Sequence, residues 1–228
     1  MKKVLFLLLF AVPLLIFCGK KEVKIQSLEG MEPPALLEKG HAAFIEGNME
    51  EAIRAYQVIY NRYPLSREYI SAVLGMARAY NNMGDFERGF ELLHNLIREN
   101  MVPSRVPEIY NEMARYYEVT AVYSREAGIS NIEKDYKQAL TYYQKAVSYP
   151  NSENVEAKSY AQFQIGELHQ KLGHPEDAAL AYQSAIFHYP GTEWATLAQQ
   201  RIQELKTAGE TTLTPLHREE TEAVESPN

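Results

Sequence analysis

One pattern occurs three times along the chain, and this repetition restricts the possible folds more than any other feature. In each copy, a small residue is followed twelve positions later by another small residue and, four positions after that, by a large apolar one. A glycine separates the two halves of each copy. The three sets are Gly40, Gly47, Ala52 and Tyr56; Ala77, Gly84, Gly89 and Leu93; and Gly166, Gly173, Ala178 and Tyr182.

This spacing predicts two helices joined by a tight turn. Two helices approach closely only where small residues meet, and a large residue one turn away fills the remaining space. The glycine between the halves tolerates the positive φ that ends a helix. Asp85 and Pro175 are typical first residues of a second helix. Pro64 and Pro190 end the second helices of their copies because proline cannot continue one.

A fourth copy lies between the second and the last, and it is interrupted. Ala114 is followed by Ala139 after 25 positions instead of 12, so 13 residues are inserted between its two helices. We predict a long first helix from about Ser104 to about Glu126. The segment GISNIEKD, residues 128–135, is predicted to be the turn.

This framework resembles the tetratricopeptide repeat over residues 35–190. Its period is 37 residues from Gly40 to Ala77 and again from Ala77 to Ala114, against about 34 in the common repeat. The longer unit is similar to that of envelope members, such as the lipoprotein of the outer-membrane barrel-assembly machine and the periplasmic protein associated with the Tol-Pal system. The resemblance implies an all-α fold, a right-handed α-solenoid with four units at about residues 35–66, 67–103, 104–150 and 152–190.

A ninth helix is predicted after the last unit, over residues 191–206. Trp194, Leu197, Ile202 and Leu205 fall near one helical face, with polar residues opposite. The last unit of a solenoid exposes an apolar face unless something covers it. We therefore predict that this segment is a C-terminal capping helix, which completes a domain over residues 35–206.

The N-terminus has the features of a signal peptide. Lys2 and Lys3 precede the apolar run Val4–Phe17, which only Pro13 interrupts. This run is too short to span a bilayer, which takes about 20 apolar residues, but it has the length of a signal-peptide core. We predict a signal peptide over residues 1–17, whose removal would change the net charge from −7 to −9 by deleting two lysines.

Cys18 is the sole cysteine of the chain and directly follows this run. The stretch Leu15-Ile16-Phe17-Cys18-Gly19 resembles the lipobox of bacterial lipoproteins, although that family usually has Gly, Ala or Ser where Phe17 stands. The resemblance implies diacylglycerol and an N-acyl group on Cys18, and Gly19 favours the outer membrane, facing the periplasm. An ordinary signal peptide or an uncleaved anchor remains the alternative.

Two further segments are predicted to lie outside the folded domain. Residues 18–34 carry no sustained helical period and end in two prolines, so we predict a lipidated cysteine followed by a flexible tether. Residues 207–228 are rich in Thr, Glu and Pro and hold little to bury, which is typical of a disordered tail.

Composition and motifs exclude several functions. A net charge of −7 argues against nucleic acid, whose phosphates require a basic face. The motifs HExxH, CxxC and GxSxG do not occur in the sequence. His169 and His174 are five positions apart across a glycine turn, which is poor spacing for metal ligands. We therefore predict no enzyme activity, no metal and no cofactor beyond the lipid on Cys18.

The resemblance implies that the first helices line a concave groove, and four polar residues of the second and third units are predicted to be neighbours there. Guanidinium and amide groups can clamp the main chain or the carboxylate of a bound peptide. The alternative is a solvated helix face with compensating charges. The four residues are Arg78, Asn81, Asn111 and Arg115.

We thus predict a non-catalytic adaptor that is lipid-anchored in the cell envelope and binds other envelope proteins or peptides through its groove. The alternative function is a component that hands hydrophobic small ligands to a transport system. That second function requires an apolar pocket in the array.

Overall fold

The computed structural model describes residue 28 and residues 30–99, 102–128 and 132–209. Within this part, the chain forms nine α-helices and a short 3₁₀ helix, without strands. The predicted signal peptide, Cys18, most of the tether and nearly all of the tail lie outside the described residues. The helices are α1 Pro33–Ile45, α2 Met49–Arg62, α3 Tyr69–Asn82, α4 Phe86–Glu99, α5 Val106–Glu126, α6 Ile132–Ser148, α7 Val155–Lys171, α8 Pro175–His188 and α9 Glu193–Ala208.

Successive helices pair as the repeat predicts, so the all-α solenoid is confirmed. The pairs α1–α2, α3–α4, α5–α6 and α7–α8 pack against each other. In three pairs the turn contains the predicted glycine in the left-handed region, with φ of 80° at Gly47, 78° at Gly84 and 77° at Gly173. Only glycine takes this conformation without steric cost.

The small residues of the repeat form sockets for tyrosine rings. The Tyr56 side chain is 1% exposed and lies between the helices α1 and α3. A Cβ atom on Gly40 would lie 2.3 Å from its ring, and one on Gly75 would lie 2.6 Å away. Tyr182 occupies the same position over Gly166, where a Cβ atom would also lie 2.3 Å away. One buried ring thus fixes the approach of neighbouring helices.

The inserted residues lengthen both helices of the third unit, α5 to 21 residues and α6 to 17. The prediction that residues 128–135 are the turn is wrong in its second half, because α6 begins at Ile132. Glu133 and Asp135 stand in the first turn of α6, where acidic side chains stabilise the positive end of the helix dipole. Lys137 pairs with Glu133 and adds a stabilising contact between successive turns.

The edges of the domain also differ from the sequence expectation. The last residues of the predicted tether pack on the first unit: Leu28 and Met31 contact the cluster around Tyr56, and the Tyr63 hydroxyl donates to the Met31 carbonyl at 3.4 Å. The helix α1 begins at Pro33, because proline is already in helical geometry at a first turn. At the other end, α9 continues to Ala208, two residues beyond the predicted boundary.

The helix α9 covers the last unit, as predicted for a cap. It packs on α8 and α7. Leu205 is 1% exposed, and Trp194, Leu197 and Ile202 are partly buried in the same cluster. Within the described ranges, no helix has the length and apolarity to span a bilayer.

Contacts between units show which side of the array is concave. The first helices touch in series, α1 with α3, α3 with α5, and α5 with α7, and α9 continues this layer. Among the described residues, the second helices α2, α4, α6 and α8 do not contact one another. A layer whose helices touch is shorter than a layer whose helices are spread apart, so the array curves with its first helices inside.

Candidate binding groove

A cleft of about 440 Å³ lies in the inner layer, across the second, third and fourth units and the cap. Residues of α3, α5, α7 and α9 line it, together with Asn154, which caps α7. We call this cleft the groove. Its principal side chains are Leu74, Arg78, Glu108, Asn111, Glu112, Arg115, Glu156, Tyr160 and Trp194.

An ion pair between Arg78 of α3 and Glu112 of α5 joins two units at the floor of the groove. The Glu112 side chain is only 7% exposed, whereas that of Arg78 is 40% exposed. The Nε atom of Arg78 is buried without a hydrogen-bond partner among the described residues. Glu112 was not predicted to lie in the groove, although it stands one turn before Arg115 on the same helix. The Glu112 carboxylate therefore compensates most of the positive charge of Arg78.

Arg115 is the more available cation of the groove. It is exposed to solvent, and it forms no ion pair with a carboxylate of the described residues. Partial desolvation of the guanidinium lowers the pKa of Arg115. The nearby Glu112 carboxylate and Tyr160 have a larger effect in the opposite direction, so the pKa of Arg115 is raised. Two guanidinium groups thus face a single buried carboxylate. This arrangement leaves a positive site open to a ligand.

The two asparagines of the predicted clamp have different positions. Asn111 lies in the groove, but its Nδ2 donates to the Ala157 carbonyl at 2.8 Å and so joins α5 to α7. Asn81 does not line the groove; its carboxamide fills the space above Gly89, where a Cβ atom would lie 2.2 Å from Asn81 Oδ1. The structure therefore brings together Arg78, Asn111 and Arg115 and leaves Asn81 outside.

Aromatic side chains form the wall of the groove beside the cap. The rings of Tyr160 and Trp194 meet edge to face with centroids 4.8 Å apart. Trp194 Nε1 donates to Glu156 Oε1 at 2.6 Å, which fixes the indole at the rim. Trp194 was predicted only for the apolar face of the cap, and its place in the groove was not predicted. Trp194 stands in the first turn of α9, and this position in the sequence could have indicated that its side chain reaches back over α7.

A second, more apolar cleft of about 610 Å³ lies where the insert extends α5. Four of its large apolar side chains are well exposed, from 36% for Val119 to 54% for Tyr123. Lys171 pairs with Glu118 at 2.7 Å at its edge. We call it the apolar cleft, and its principal side chains are Asn81, Met83, Phe86, Val119, Val122 and Tyr123.

His169 and His174 are closer than their separation in sequence indicates. Their spacing was predicted to be poor for metal ligands, but the turn at Gly173 brings one donor atom of each, and one of Asp177, within 4.8 Å of one another. Burial lowers the pKa of His169, and Asp177 acts in the opposite direction.

Comparison with known proteins agrees with this architecture. The sequence profile of the tetratricopeptide repeat matches residues 35–66 and 160–192, which are the first and the last unit. The fold is thus similar to that of tetratricopeptide repeat proteins. Such repeats generally bind protein partners and are generally non-catalytic, so the fold indicates a scaffold for protein–protein interaction.

Three solved structures are similar to this chain at low sequence identity. TTC0263, a thermophilic TPR protein of Thermus thermophilus, is 17% identical with a TM-score of 0.56, covering 78% of this chain and 84% of that one. MamA is 19% identical with a TM-score of 0.48, covering 75% and 85%. BtubC from P. vanneervenii is 16% identical with a TM-score of 0.45, covering 89% and 75%. A search of curated proteins gave no match.

Proposed function

We propose that this protein is a lipid-anchored adaptor of the cell envelope, which faces the periplasm and holds a partner protein in its groove by an acidic group. The observation that carries the proposal is Arg115, an exposed residue of the groove that forms no ion pair with a carboxylate of the described residues. A carboxylate forms bidentate hydrogen bonds with such a group.

The rest of the groove supports the same kind of ligand. Tyr160 and Trp194 offer flat apolar surface beside the cation, and aromatic and arginine side chains carry much of the binding energy in protein interfaces. Arg78 is held by Glu112 and thereby fixes the groove floor before a ligand arrives. A preformed site loses less entropy on binding.

A peptide array tests the groove directly. Peptides with a free C-terminal carboxylate are compared with the same sequences carrying a C-terminal amide, in binding to wild type and to Arg115→Gln. We expect the free acids to bind wild type at least about tenfold more tightly, since a charge-assisted hydrogen bond contributes about 1.5–3 kcal/mol. Equal binding of acids and amides, or full binding by Arg115→Gln, would show that no carboxylate is held there.

The anchor has its own test. Cys18 lies outside the described residues, so this part of the proposal depends on the sequence alone. Cells fed labelled palmitate should incorporate label into wild type but not into Cys18→Ala, and fractionation should place the wild type in the outer membrane. Equal labelling of the two proteins would remove the lipid anchor from the proposal and leave the groove unaffected.

The apolar cleft favours a second candidate function, the delivery of a hydrophobic small ligand to a transport system. Val122 and Tyr123 expose apolar surface that a soluble protein usually buries or uses for binding. Mass spectrometry of organic extracts from the purified protein separates the two functions. A stoichiometric lipid that is lost in Val122→Ser favours the second, whereas an empty protein that retains peptide binding favours the adaptor.

A further inference from the structure

Three possible metal ligands meet at the turn between α7 and α8. His169 lies in the last turn of α7, His174 directly precedes α8, and Asp177 lies in the first turn of α8. Asp177 Oδ2 lies 3.9 Å from His169 Nδ1 and 3.6 Å from His174 Nδ1. The backbone N–H of His174 donates to the His169 carbonyl at 2.9 Å, so the turn itself holds the two histidines together.

These distances are close to those of a tetrahedral metal site. Ligands that bind Zn²⁺ at about 2.0–2.1 Å stand about 3.4 Å from one another. Both distances from Asp177 are therefore within about half an ångström of what a bound ion requires, and the three ligand atoms together lie within 4.8 Å of one another. The same two distances are too long for hydrogen bonds, so Asp177 forms no hydrogen bond with either histidine.

The ligand atoms also lack other partners in the described part of the chain. His169 Nδ1 is buried and accepts or donates no hydrogen bond there. The side chain of His174 makes no capping hydrogen bond to α8. His174 and Asp177 are more than half exposed, so both can turn toward an ion, whereas His169 is 23% exposed.

Access and charge around the turn permit a cation. The three residues line a cleft of about 660 Å³, which α6 borders with Glu133 and Lys137. Both lysines of the cleft are neutralised by carboxylates, Lys137 by Glu133 and Lys171 by Glu118.

We propose that His169, His174 and Asp177 bind one Zn²⁺ ion, with water completing its coordination. Two imidazole nitrogens and one carboxylate suit zinc, whereas Ca²⁺ and Mg²⁺ prefer oxygen ligands alone. The ion bridges α7 and α8 across Gly173. It therefore stabilises the last repeat unit, which contributes Tyr160 to the aromatic wall of the groove.

Calorimetric titration of the untagged protein with ZnCl₂ tests the site. We expect one saturable Zn²⁺ per chain and a binding constant that falls at least about tenfold in His174→Gln and in Asp177→Asn. Even residues that only hydrogen-bond to a metal ligand change the metal affinity by about 10- to 100-fold when they are mutated. His188→Gln is the matched control, since His188 is an exposed histidine of the same helix outside the cluster, and it should bind as wild type does.

Three results would overturn the proposal. They are the absence of saturable binding in wild type, undiminished binding in both ligand variants, and displacement of Zn²⁺ by equimolar Ca²⁺. Circular dichroism of the metal-free variants, compared with metal-free wild type, shows whether a lost affinity comes from the ligand or from the fold. The result does not depend on the peptide-binding function of the groove.

Discussion

At the scale of single residues, the repeat depends on tyrosine rings that occupy the space left by glycines. The Tyr182 ring is fully buried over Gly166, and its hydroxyl lies 2.6 Å from Glu167 Oε1 and 2.7 Å from Gln170 Oε1. Both ends of the side chain are thus fixed. Because the spacing that produces this contact is local, glycine and tyrosine positions can be read from the sequence.

Gly166→Ala should destabilise the protein although alanine is the better helix former. The exchange gains about 1 kcal/mol of helix propensity, but the new methyl group would lie 2.3 Å from a ring that cannot move away. Overpacking of this kind costs about 1–3 kcal/mol. We expect a net loss of about 1 kcal/mol in the free energy of unfolding, measured by urea denaturation.

Gly173→Ala provides the comparison for this variant. Its Cβ would meet no atom within 4 Å, so only the cost of a positive φ applies. If Gly166→Ala were as stable as wild type or more stable, the ring would be mobile and the socket would not fix the helices.

The two arginines of the groove should differ in what their removal costs. Arg78→Met leaves the Glu112 carboxylate buried without its partner, which should lower the free energy of unfolding by about 1–3 kcal/mol. Arg115→Met should change it by less than about 0.5 kcal/mol, because Arg115 is exposed and holds no ion pair in the described part of the chain. Chemical denaturation of both variants measures the difference; equal losses would show that Arg115 is structural too.

At the scale of elements, the sequence predicted which segments are helical but not where each inserted residue goes. The repeat fixes Ala114 and Ala139 in their helices, yet the residues between them can extend either helix or the turn. Glu133 and Asp135 in the first turn favour the start of α6 at Ile132. The ion pair of Arg78 with Glu112 spans 34 positions and joins two units. It could not be predicted because it depends on how one unit rotates against the next.

Removal of the cap should expose the core of the last unit. A chain that stops after Gly191 lacks Leu205, whose loss alone is expected to cost about 2–5 kcal/mol. It also uncovers the cluster around Tyr182 and Phe163. We expect self-association in size-exclusion chromatography with light scattering and an early unfolding transition.

A chain that stops after Gly209 is the control, because it retains all of α9. It should be monodisperse and as stable as the full chain. Equal behaviour of the two truncated chains would contradict the role of α9 as a cap.

At the scale of the whole molecule, curvature determines where the candidate binding surface lies. The first helices touch and form the inner layer, so side chains from four different elements meet in one groove. The sequence identified Arg78, Asn111 and Arg115 as members of this surface. Tyr160 and Trp194 could not be predicted for the groove, because their positions depend on how α7 and α9 cross. The proximity of Asp177 to the two histidines could not be predicted either, because it depends on the conformation of the turn.

The central claim is that a partner protein occupies the groove, and photo-crosslinking in living cells tests it most directly. A crosslinking amino acid replaces Glu156, which is exposed at the rim of the groove, or Leu180, which is 45% exposed on the second-helix layer. We predict a discrete crosslinked species from position 156 that disappears when Arg115→Gln is added, and none from position 180. The same species from both positions, or one that survives Arg115→Gln, would contradict binding in the groove.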